Sequence, residues 1–283
     1  MTKLNDLTKE GLASLYTDKK KSLEDIARLY KVSRVAVYKK LQKFGITLRS
    51  KSEARIEAQK QNKLPQQFFD INEDFFSNWS PEMAYVLGLI ITDGCISKTG
   101  TVSLNMNDRE LLEKVKETMG SAHKIIPSKH QKGLYYYHFS RKGMIKDLEK
   151  LCVVPRKSLI VKFPDVPQAY LPDFIRGVFD GDGSVFFEKR SGFVTLRTNF
   201  VSGSKDFIEG LEKCLGSLGM PTRTIYRQKT QNAWSYKFVY CHRDSIKLFN
   251  ILYKNAKNKL FLERKYKRFL EGWKGLEGDV LNG

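Results

Sequence analysis

Two short apolar segments with the same ending constrain the fold of this chain more than any other feature. The first reads "YVLGLIITDG" and ends in Asp93 and Gly94; the second reads "FIRGVFDGDG" and ends in Asp182 and Gly183. Residues 85–91 are apolar on every side, which is typical of a helix buried all round. The simplest partner for such a helix is its own copy, so the pattern predicts a central helix pair.

Glycines mark equivalent places in the two segments. Gly88 and Gly177 lie within the predicted helices, where a missing side chain lets two backbones approach closely. Gly94 and Gly183 follow the helix ends, where we expect each to adopt the left-handed conformation of a helix C-cap.

The chain after each segment also repeats. The stretches "ELLEKVKETMG" and "DFIEGLEKCLG" match in length and in apolar positions, and alternating strand patterns flank both. Each copy therefore reads as an αββαββα unit, and the whole as an α+β pseudo-twofold dimer within one chain. We predict the first copy over residues 75–167, the second over 168–275, and a tail over 276–283.

Residues 1–48 read as a separate all-α domain. Ser22 can cap its second helix, with Asp25 as a capping-box partner, and Ser33 can cap its third, which ends at Gly45. The residues predicted to face the core are Leu23, Ile26, Ala27, Leu29, Val37, Leu41 and Phe44.

The stretch "SLEDIARLYKVSRVAVYKKLQKFGI" resembles a helix-turn-helix DNA-binding domain. The resemblance implies that the third helix enters a major groove. The residues it would present to DNA are Ser33, Arg34, Val35, Tyr38 and Lys39.

Charge narrows the class of partner. The chain carries 50 Lys and Arg against 31 Asp and Glu, a net charge of +19, which attracts a polyanion. Nucleic acid is favoured over an anionic membrane surface, and residues 49–74 read as a basic polar linker that can follow a phosphate backbone.

No apolar run is long enough to span a bilayer, and no secretory segment follows Met1, so we expect a soluble protein of the cytoplasm, nucleoid or an organelle. Reduced, structural thiols are expected at Cys95, Cys152, Cys214 and Cys241.

The two terminal aspartates suggest a metal site. Parallel pairing of the helices would place Asp93 and Asp182 side by side, where each carboxylate repels the other and faces the negative end of a helix dipole. A divalent cation offsets both penalties, and oxygen ligands with room for water favour Mg²⁺. A calcium-binding EF-hand starting at Asp180 is excluded, because its sixth and twelfth positions would be Val185 and Ser191.

The paired "VLGLIITDG" and "IRGVFDGDG" resemble the two motifs of a single-chain LAGLIDADG homing endonuclease. The resemblance implies two four-stranded sheets that form a saddle on duplex DNA, and a monomer that makes a staggered double-strand break at a long asymmetric site. It also implies metal-assisted hydrolysis with Mg²⁺, for which Mn²⁺ can substitute. Asp93 and Asp182 would hold the metal, beside Gly94 and Gly183.

The same resemblance implies a polar and basic group of residues around the metal. Approximate alignment places Asn107 and Ser202 at the start of the helix after each hairpin, and Lys157 and Lys257 before the last segment of each copy. The first motif departs from the family pattern, because Ile91 stands where the second keeps Asp180. We interpret Asp180 as a capping or packing residue.

Strand alternation predicts which side chains face DNA. In "FVTLRTNFVS" we expect Val194, Leu196 and Phe200 to face the helices, and in "TVSLNMN" we expect Val102, Leu104 and Met106 to do so. The run Tyr135 to Tyr137 is interpreted as packing plus one exposed ring. Alternation thus directs Ser103, Asn105, Thr195, Arg197 and Asn199 toward DNA. Further candidate DNA contacts in the following strands, whose parity the sequence leaves open, are Arg223, Arg227, Lys229 and Lys237.

Two other functions fit the same sequence. One is a DNA-binding regulator in which the fold has lost catalysis, although such a scaffold has no use for two repelling acids. The other is an RNA maturase that assists intron splicing, with intron RNA as a further partner. Neither charge nor fold separates the maturase from the nuclease.

Overall fold

A computed structural model divides the chain into two units, residues 1–69 and residues 70–283. The structure describes residues 4, 7–50, 53–54, 57–58, 61, 70–190, 193–229, 233–256 and 260–280.

The first unit is a small helical domain. Ser22 Oγ accepts the Asp25 N–H (3.1 Å) while Asp25 Oδ2 accepts the Ser22 N–H (2.9 Å), so the predicted capping box is present. Ser33 Oγ accepts the Ala36 N–H (3.2 Å) at the start of the third helix. The helices are α1 (Lys9–Ala13, continued by a π-helical turn, Ser14–Asp18), α2 (Leu23–Tyr30) and α3 (Arg34–Lys43).

The core of this unit matches the prediction except at one residue. Ile26, Val37 and Leu41 are fully buried, but Leu29 is 58% exposed. In the last turn of α2 the inward position belongs to Tyr30, which packs against the core in its place. The prediction for Leu29 was therefore wrong.

Part of the predicted linker contacts this helical unit. The Arg49 N–H donates to Tyr16 Oη (3.1 Å), and the Arg49 guanidinium lies 4.3 Å from the centre of the Tyr16 ring. Further along, Gln61 Nε2 donates to the Lys20 carbonyl (3.0 Å). These contacts attach the segment after α3 to the helices before it.

The second unit contains the predicted repeat. Each copy follows the order αββαββα, and each builds a four-stranded antiparallel sheet, with strand orders β1-β2-β4-β3 and β5-β6-β8-β7. The first copy comprises α4 (Pro81–Asp93), β1 (Gly94–Ile96), β2 (Val102–Met106), α5 (Arg109–Thr118), β3 (Ile125–Pro127), β4 (Tyr135–Phe139) and α6 (Lys142–Lys150). The second comprises α7 (Leu171–Asp182), β5 (Ser184–Arg190), β6 (Phe193–Ser202), α8 (Lys205–Ser217), β7 (Tyr226–Lys229), β8 (Trp234–Cys241) and α9 (His242–Tyr253), followed by α10 (Glu263–Val280).

The two apolar segments form the central helix pair, α4 and α7, as the sequence predicts. A Cβ added at Gly88 would lie 2.8 Å from the Val178 nitrogen, and one added at Gly177 would lie 3.1 Å from the Gly88 Cα and would overlap the Tyr85 carbonyl. Backbone therefore touches backbone at this crossing, and only glycine fits on either side.

The glycines after these helices differ from the prediction. Gly94 has φ −86° and ψ 155°, and Gly183 has φ −78° and ψ 160°, so both are extended rather than left-handed. Each chain passes directly from helix into strand, and an added Cβ would lie 2.6 Å from the carbonyl of Ile90 or Phe179. Glycine is needed there because the strand leaves close to the last helical turn.

Strand register decides which side chains face away from the helices. In β2, Leu104 is 1% exposed while its neighbour Asn105 is half-buried on the outer face. In β6, Leu196 and Phe200 are buried as expected, but Val194 is 60% exposed, because that end of the strand extends past the core. In the described part of the chain, no helix is long and apolar enough to cross a membrane.

The glycine crossing generates a stability prediction. We expect Gly177→Ala to lower the free energy of unfolding by about 3 kcal/mol, because the new methyl overlaps main-chain atoms that cannot move independently. Gly216→Ala in α8 is the matched control, since a Cβ there meets nothing within 4 Å, and it should gain up to about 1 kcal/mol from helix propensity. Urea unfolding measures both, and equal effects of the two substitutions would contradict the tight crossing.

Candidate active site at the ends of the paired helices

The crossing of α4 and α7 brings the two terminal aspartates into one site. A Cβ added at Gly181, next to Asp182, would lie 3.3 Å from Asp93 Oδ2, which places the first carboxylate against the end of the second helix. Both side chains are half-buried at the negative ends of their helices. The prediction that the helices end side by side is confirmed by this geometry.

Burial disfavours the charged form of both carboxyls, and at Asp93 the charge of Asp182 adds to this effect. Burial, then the nearby charge of Asp182, raises the pKa of Asp93 to about 6, and burial raises the pKa of Asp182. Within the described part of the chain, neither carboxylate accepts a hydrogen bond. The site thus holds two destabilised acids whose oxygen atoms accept no hydrogen bond from the residues that the structure describes.

Two buried lysines partly offset the free-energy cost of holding two charged carboxylates in this site. Lys157 is 3% exposed and donates from Nζ to the Gly94 carbonyl (2.6 Å); Lys265 is 6% exposed and donates to the carbonyls of Phe179 and Asp180 (both 2.7 Å). Burial lowers the pKa of Lys157, and it lowers the pKa of Lys265 to about 8. The positive charge of each lysine lowers the pKa of both aspartates.

Of the two lysines predicted from sequence, Lys157 lies in the site and Lys257 lies outside the described residues. The sequence reasoning missed Lys265. A signal was available, because an Arg-Lys pair follows each copy, Arg156-Lys157 after the first and Arg264-Lys265 after the second.

Asn107 and Ser202 do not start helices as expected. The residue before α5 is Asp108, and the cap of α8 is Ser204, whose Oγ accepts the Phe207 N–H (3.4 Å). They nevertheless lie near the aspartates. Asn107 lines a cavity that contains Asp93, and Ser202 lines one that contains Asp182.

Asp180 is a buried anchor, in agreement with the packing interpretation. Its Oδ2 accepts the Tyr85 hydroxyl (2.8 Å) and the Leu262 N–H (2.8 Å), and its Oδ1 accepts the Tyr253 hydroxyl (3.3 Å). Burial raises the pKa of Asp180, while the Tyr85 hydrogen bond opposes that shift. The carboxylate holds the chain that leads into Lys265.

A buried arginine supports the same segment. Arg176 is 1% exposed and donates to the carbonyls of Leu260 (2.8 Å) and Leu252 (3.0 Å) and to Asp173 Oδ1 (2.7 Å). Since Leu260 follows the second copy while Asp173 lies within α7, Arg176 fixes the chain after the second copy against the second central helix.

The outer face of the first sheet is uncharged at the predicted contact residues. Ser103 Oγ donates to Asn105 Oδ1 (2.6 Å), which fixes the Asn105 amide. Tyr136 stacks on His138 on the same face with ring centres 5.6 Å apart, whereas Tyr137 points inward and is fully buried.

The outer face of the second sheet carries charge. Arg197 forms an ion pair with Glu188 (2.6 Å), and Lys237 Nζ donates to Gln228 Oε1 (3.1 Å). Register places Asn199 and Thr195 on this face with Arg197.

Three of the predicted basic residues do not share that face. Arg227 pairs with Tyr236 and Lys229 with Trp234, which puts both on the helix side of the sheet. The Arg227 guanidinium lies 3.6 Å from the centre of a Trp234 ring. Arg223 precedes the strand and is paired with Asp244. The pairing of β7 with β8 thus settles the parity that the sequence left open, and Arg227 and Lys229 do not line the same surface as Arg197.

The predicted recognition residues of the helical unit are all on its surface. Val35 is 59% exposed and Tyr38 is 38% exposed, and Arg34 and Lys39 are exposed beside them. Ser33 caps the helix with its side chain, so it is a structural residue whether or not it also meets a phosphate.

The residues at the helix ends fit a hard divalent cation. The available donors are the two carboxylates, since among the described residues no group of three or more His, Cys, Asp or Glu side chains that could hold a metal ion occurs. A cation held here would keep part of its water shell, as Mg²⁺ prefers. The positive charges of the two buried lysines already offset part of the negative charge of the carboxylates, which limits the number of cations that can bind there.

Comparison with known proteins gives the family. A family model described as a LAGLIDADG-like domain matches residues 80–152 and 170–252, which together make up more than half of the chain. The chain therefore belongs to the LAGLIDADG-like family, and the predicted doubled motif is confirmed.

Solved structures of low sequence identity are similar to this chain. One is I-SmaMI bound to an uncleaved DNA target in the presence of calcium ions, at 14% identity and TM-score 0.49, covering 72% of this chain and 93% of that one. Another is a set of mesophilic variants of the homing endonuclease I-DmoI, at 18% identity and TM-score 0.43, covering 65% and 98%. No curated protein sequence matches the chain significantly.

The raised pKa of Asp93 predicts how stability depends on pH without a metal. The folded protein binds a proton at Asp93 up to about pH 6, against an ordinary value of 3.8, so stability falls as the pH rises through that window. In EDTA at pH 7.5, Asp93→Asn should raise the free energy of unfolding by about 1–2 kcal/mol. The gain should vanish below about pH 4, where both side chains are neutral.

Denaturant unfolding across this pH range measures the effect. Glu149→Gln, on the exposed side of α6, is the matched control and should show no such gain. A loss of stability in Asp93→Asn at pH 7.5 would contradict the picture of a destabilised carboxylate.

Proposed function

We propose that the protein is a metal-dependent DNA endonuclease that makes a staggered double-strand break at a long, asymmetric duplex site. The observation that carries the proposal is the pair of destabilised carboxylates, Asp93 and Asp182, placed between two buried lysines. A fold that keeps two repelling acids at its centre gains nothing from them unless a cation binds there.

The reaction we assign to this site is phosphodiester hydrolysis. Water attacks the phosphorus, the bond to the 3′ oxygen breaks, and the products are a 5′ phosphate and a 3′ hydroxyl. When bound, a divalent cation such as Mg²⁺ or Mn²⁺ supplies charge stabilisation and a more acidic water.

The chain's own residues have distinct parts in this reaction. Asp93 and Asp182 hold the cation. The Nζ atoms of Lys157 and Lys265, which are bound to main-chain carbonyls at the helix ends, supply positive charge beside the carboxylates. With a pKa of about 8, Lys265 can release or take up a proton near neutral pH.

Duplex DNA is the substrate that the surface chemistry supports. The net charge of +19 attracts a polyanion, and the outer faces of both sheets carry fixed polar groups suited to base edges, such as Asn105 in the first sheet and Arg197 in the second. Because the two faces differ in sequence and in charge, the two half-sites would differ, and one chain would suffice for both.

The helical unit is proposed to bind DNA beyond the central site. Its third helix exposes Arg34, Val35, Tyr38 and Lys39 together, an arrangement that suits entry into a major groove.

The catalytic proposal is tested by mapping new DNA ends. Unsubstituted protein and the Asp182→Asn and Glu149→Gln variants would be incubated with a randomised duplex library and with source-organism DNA, with Mg²⁺ or with EDTA, and the ends sequenced. We expect discrete staggered ends that require Mg²⁺ and that Asp182→Asn does not produce although it still binds the duplex. Glu149→Gln should cut like the unsubstituted protein.

Other outcomes would replace the proposal. Protected but uncut duplex in every condition would identify a DNA-binding regulator. Preferential binding of structured intron RNA over duplex DNA in direct competition would identify a maturase. Cutting by Asp182→Asn at the unsubstituted rate would remove the aspartate pair from the mechanism.

The role of the helical unit is tested through the salt dependence of binding. The double variant Arg34→Ala, Lys39→Ala should bind a cleavable duplex more weakly, with a logarithmic salt slope smaller by about 1 for each phosphate that it no longer neutralises. The footprint should shorten at one end only. Arg28→Ala on α2, which removes an exposed charge paired with Glu24, is the control, and an unchanged footprint in the double variant would contradict the proposed contact.

A further inference from the structure

Three exposed residues of β7 and β8 lie on the face of the second sheet that is turned away from Arg197. They are Arg227, Lys229 and Trp234, and the register places all three on the helix side of the sheet. The strand that carries Arg227 and Lys229 is the edge strand of its sheet. A duplex bound on the Arg197 face would therefore leave this surface unused.

Arg227 and Trp234 form a stacked pair. The Arg227 guanidinium lies 3.6 Å from the centre of a Trp234 ring, and Trp234 is 41% exposed. Lys229 lies directly opposite Trp234 in the register and adds a second positive charge. A flat ring flanked by cations is the arrangement with which proteins hold a base by stacking and its phosphate by charge.

Trp234 also forms one wall of a cavity of about 330 Å³ that contains Asp182. The other apolar walls of this cavity are Ile91, Leu159, Val161 and Phe207. Leu159 is 58% exposed, so apolar surface is open to solvent at two walls of the cavity. A ligand with an apolar face would remove that surface from water, which favours binding.

The chemistry of this surface fits an unpaired nucleotide. Both faces of a paired base are covered by its neighbours in the duplex, whereas an unpaired base exposes them and can stack on a tryptophan. The positive charges of Arg227 and Lys229 complement a phosphate, and an apolar peptide side chain would use neither charge. The proposed staggered cut leaves unpaired nucleotides at each product end, so such a ligand forms beside Asp182.

We propose that Trp234, with Arg227 stacked on it, binds an unpaired nucleotide of the staggered DNA end produced at Asp182. The base would stack on the indole at the cavity, and its phosphate would pair with Arg227 and Lys229. This inference rests on the proposed endonuclease function, because the cut supplies the unpaired nucleotide. The site recognises the product end, while the outer faces of the two sheets recognise the paired duplex.

Binding of defined DNA ends tests the inference. Staggered ends recovered from the cleavage mapping would be compared, in EDTA, with the same ends filled in to be blunt. The unsubstituted protein should bind the staggered end more tightly. Trp234→Leu should weaken binding of the staggered end by about tenfold, since stacking is lost, and leave the blunt end unaffected. Trp234→Phe should retain part of the preference, and Arg227→Gln should reduce it.

Arg243→Gln is the matched control for charge. Arg243 is exposed on α9 of the same copy and does not line the cavity, so the preference for the staggered end should not change.

Photocrosslinking locates the base without knowledge of the target site. A single-stranded thymidine oligonucleotide that carries 5-iodouracil, and the same strand paired with its complement, would each be irradiated with the unsubstituted protein and the crosslinked peptides sequenced. The single strand should crosslink to Trp234, and the paired strand should not.

The outcomes separate this inference from the endonuclease proposal. Equal affinity of the unsubstituted protein for staggered and blunt ends, or equal crosslinking of Trp234 to single and paired strands, would overturn the inference and leave the endonuclease intact. A protein that crosslinks a single strand at Trp234 but cuts no DNA would keep the nucleotide site and overturn both the endonuclease and the role of this site at a product end.

Discussion

The contact between the backbones of α4 and α7 at Gly88 and Gly177 is the constraint on which the rest of the second unit depends. Because no side chain separates the helices there, their ends converge, and Asp93 comes to lie against the end of the second helix. Apolar packing stabilises the crossing, while the convergence of two carboxylates at negative helix ends opposes it. The same geometry that builds the core therefore creates the electrostatic strain that a cation would relieve.

The two copies differ in the buried polar groups of their central helices. The second copy has Asp180 and Arg176 buried on its central helix, and together they form hydrogen bonds with the main chain at Leu252, Leu260 and Leu262. The first copy has Ile91 at the position of Asp180, so it forms no such network there. Buried polar groups cost free energy of folding unless every one is paired. Here the hydrogen bond between Asp180 and Leu262 fixes the chain three residues before Lys265, which positions that lysine beside the carboxylates.

The sequence predicted the parts of this structure that depend on periodicity and repetition. Glycine at matching places in two apolar helices predicted the crossing, and strand alternation predicted that Asn105 and Arg197 face outward. It failed where a residue's place depends on contacts distant in sequence. Lys265 is brought to the site by the Asp180 network, the parity of β7 is set by its pairing with β8, and the extended Gly94 follows from the direct passage of helix into strand.

A two-fold dimer of identical chains would have to place the same residues around both aspartates. Joining the copies in one chain removes that requirement, and the segments that carry the two buried lysines differ in sequence: Ser158 and Leu159 follow Lys157, whereas Arg264 precedes Lys265 and Arg268 follows it. The outer faces of the two sheets differ in the same way, one neutral and one charged. The differences between the two sheet faces and between the two lysine-bearing segments therefore have a single origin, the freedom of two linked copies to change independently around a crossing that neither can alter.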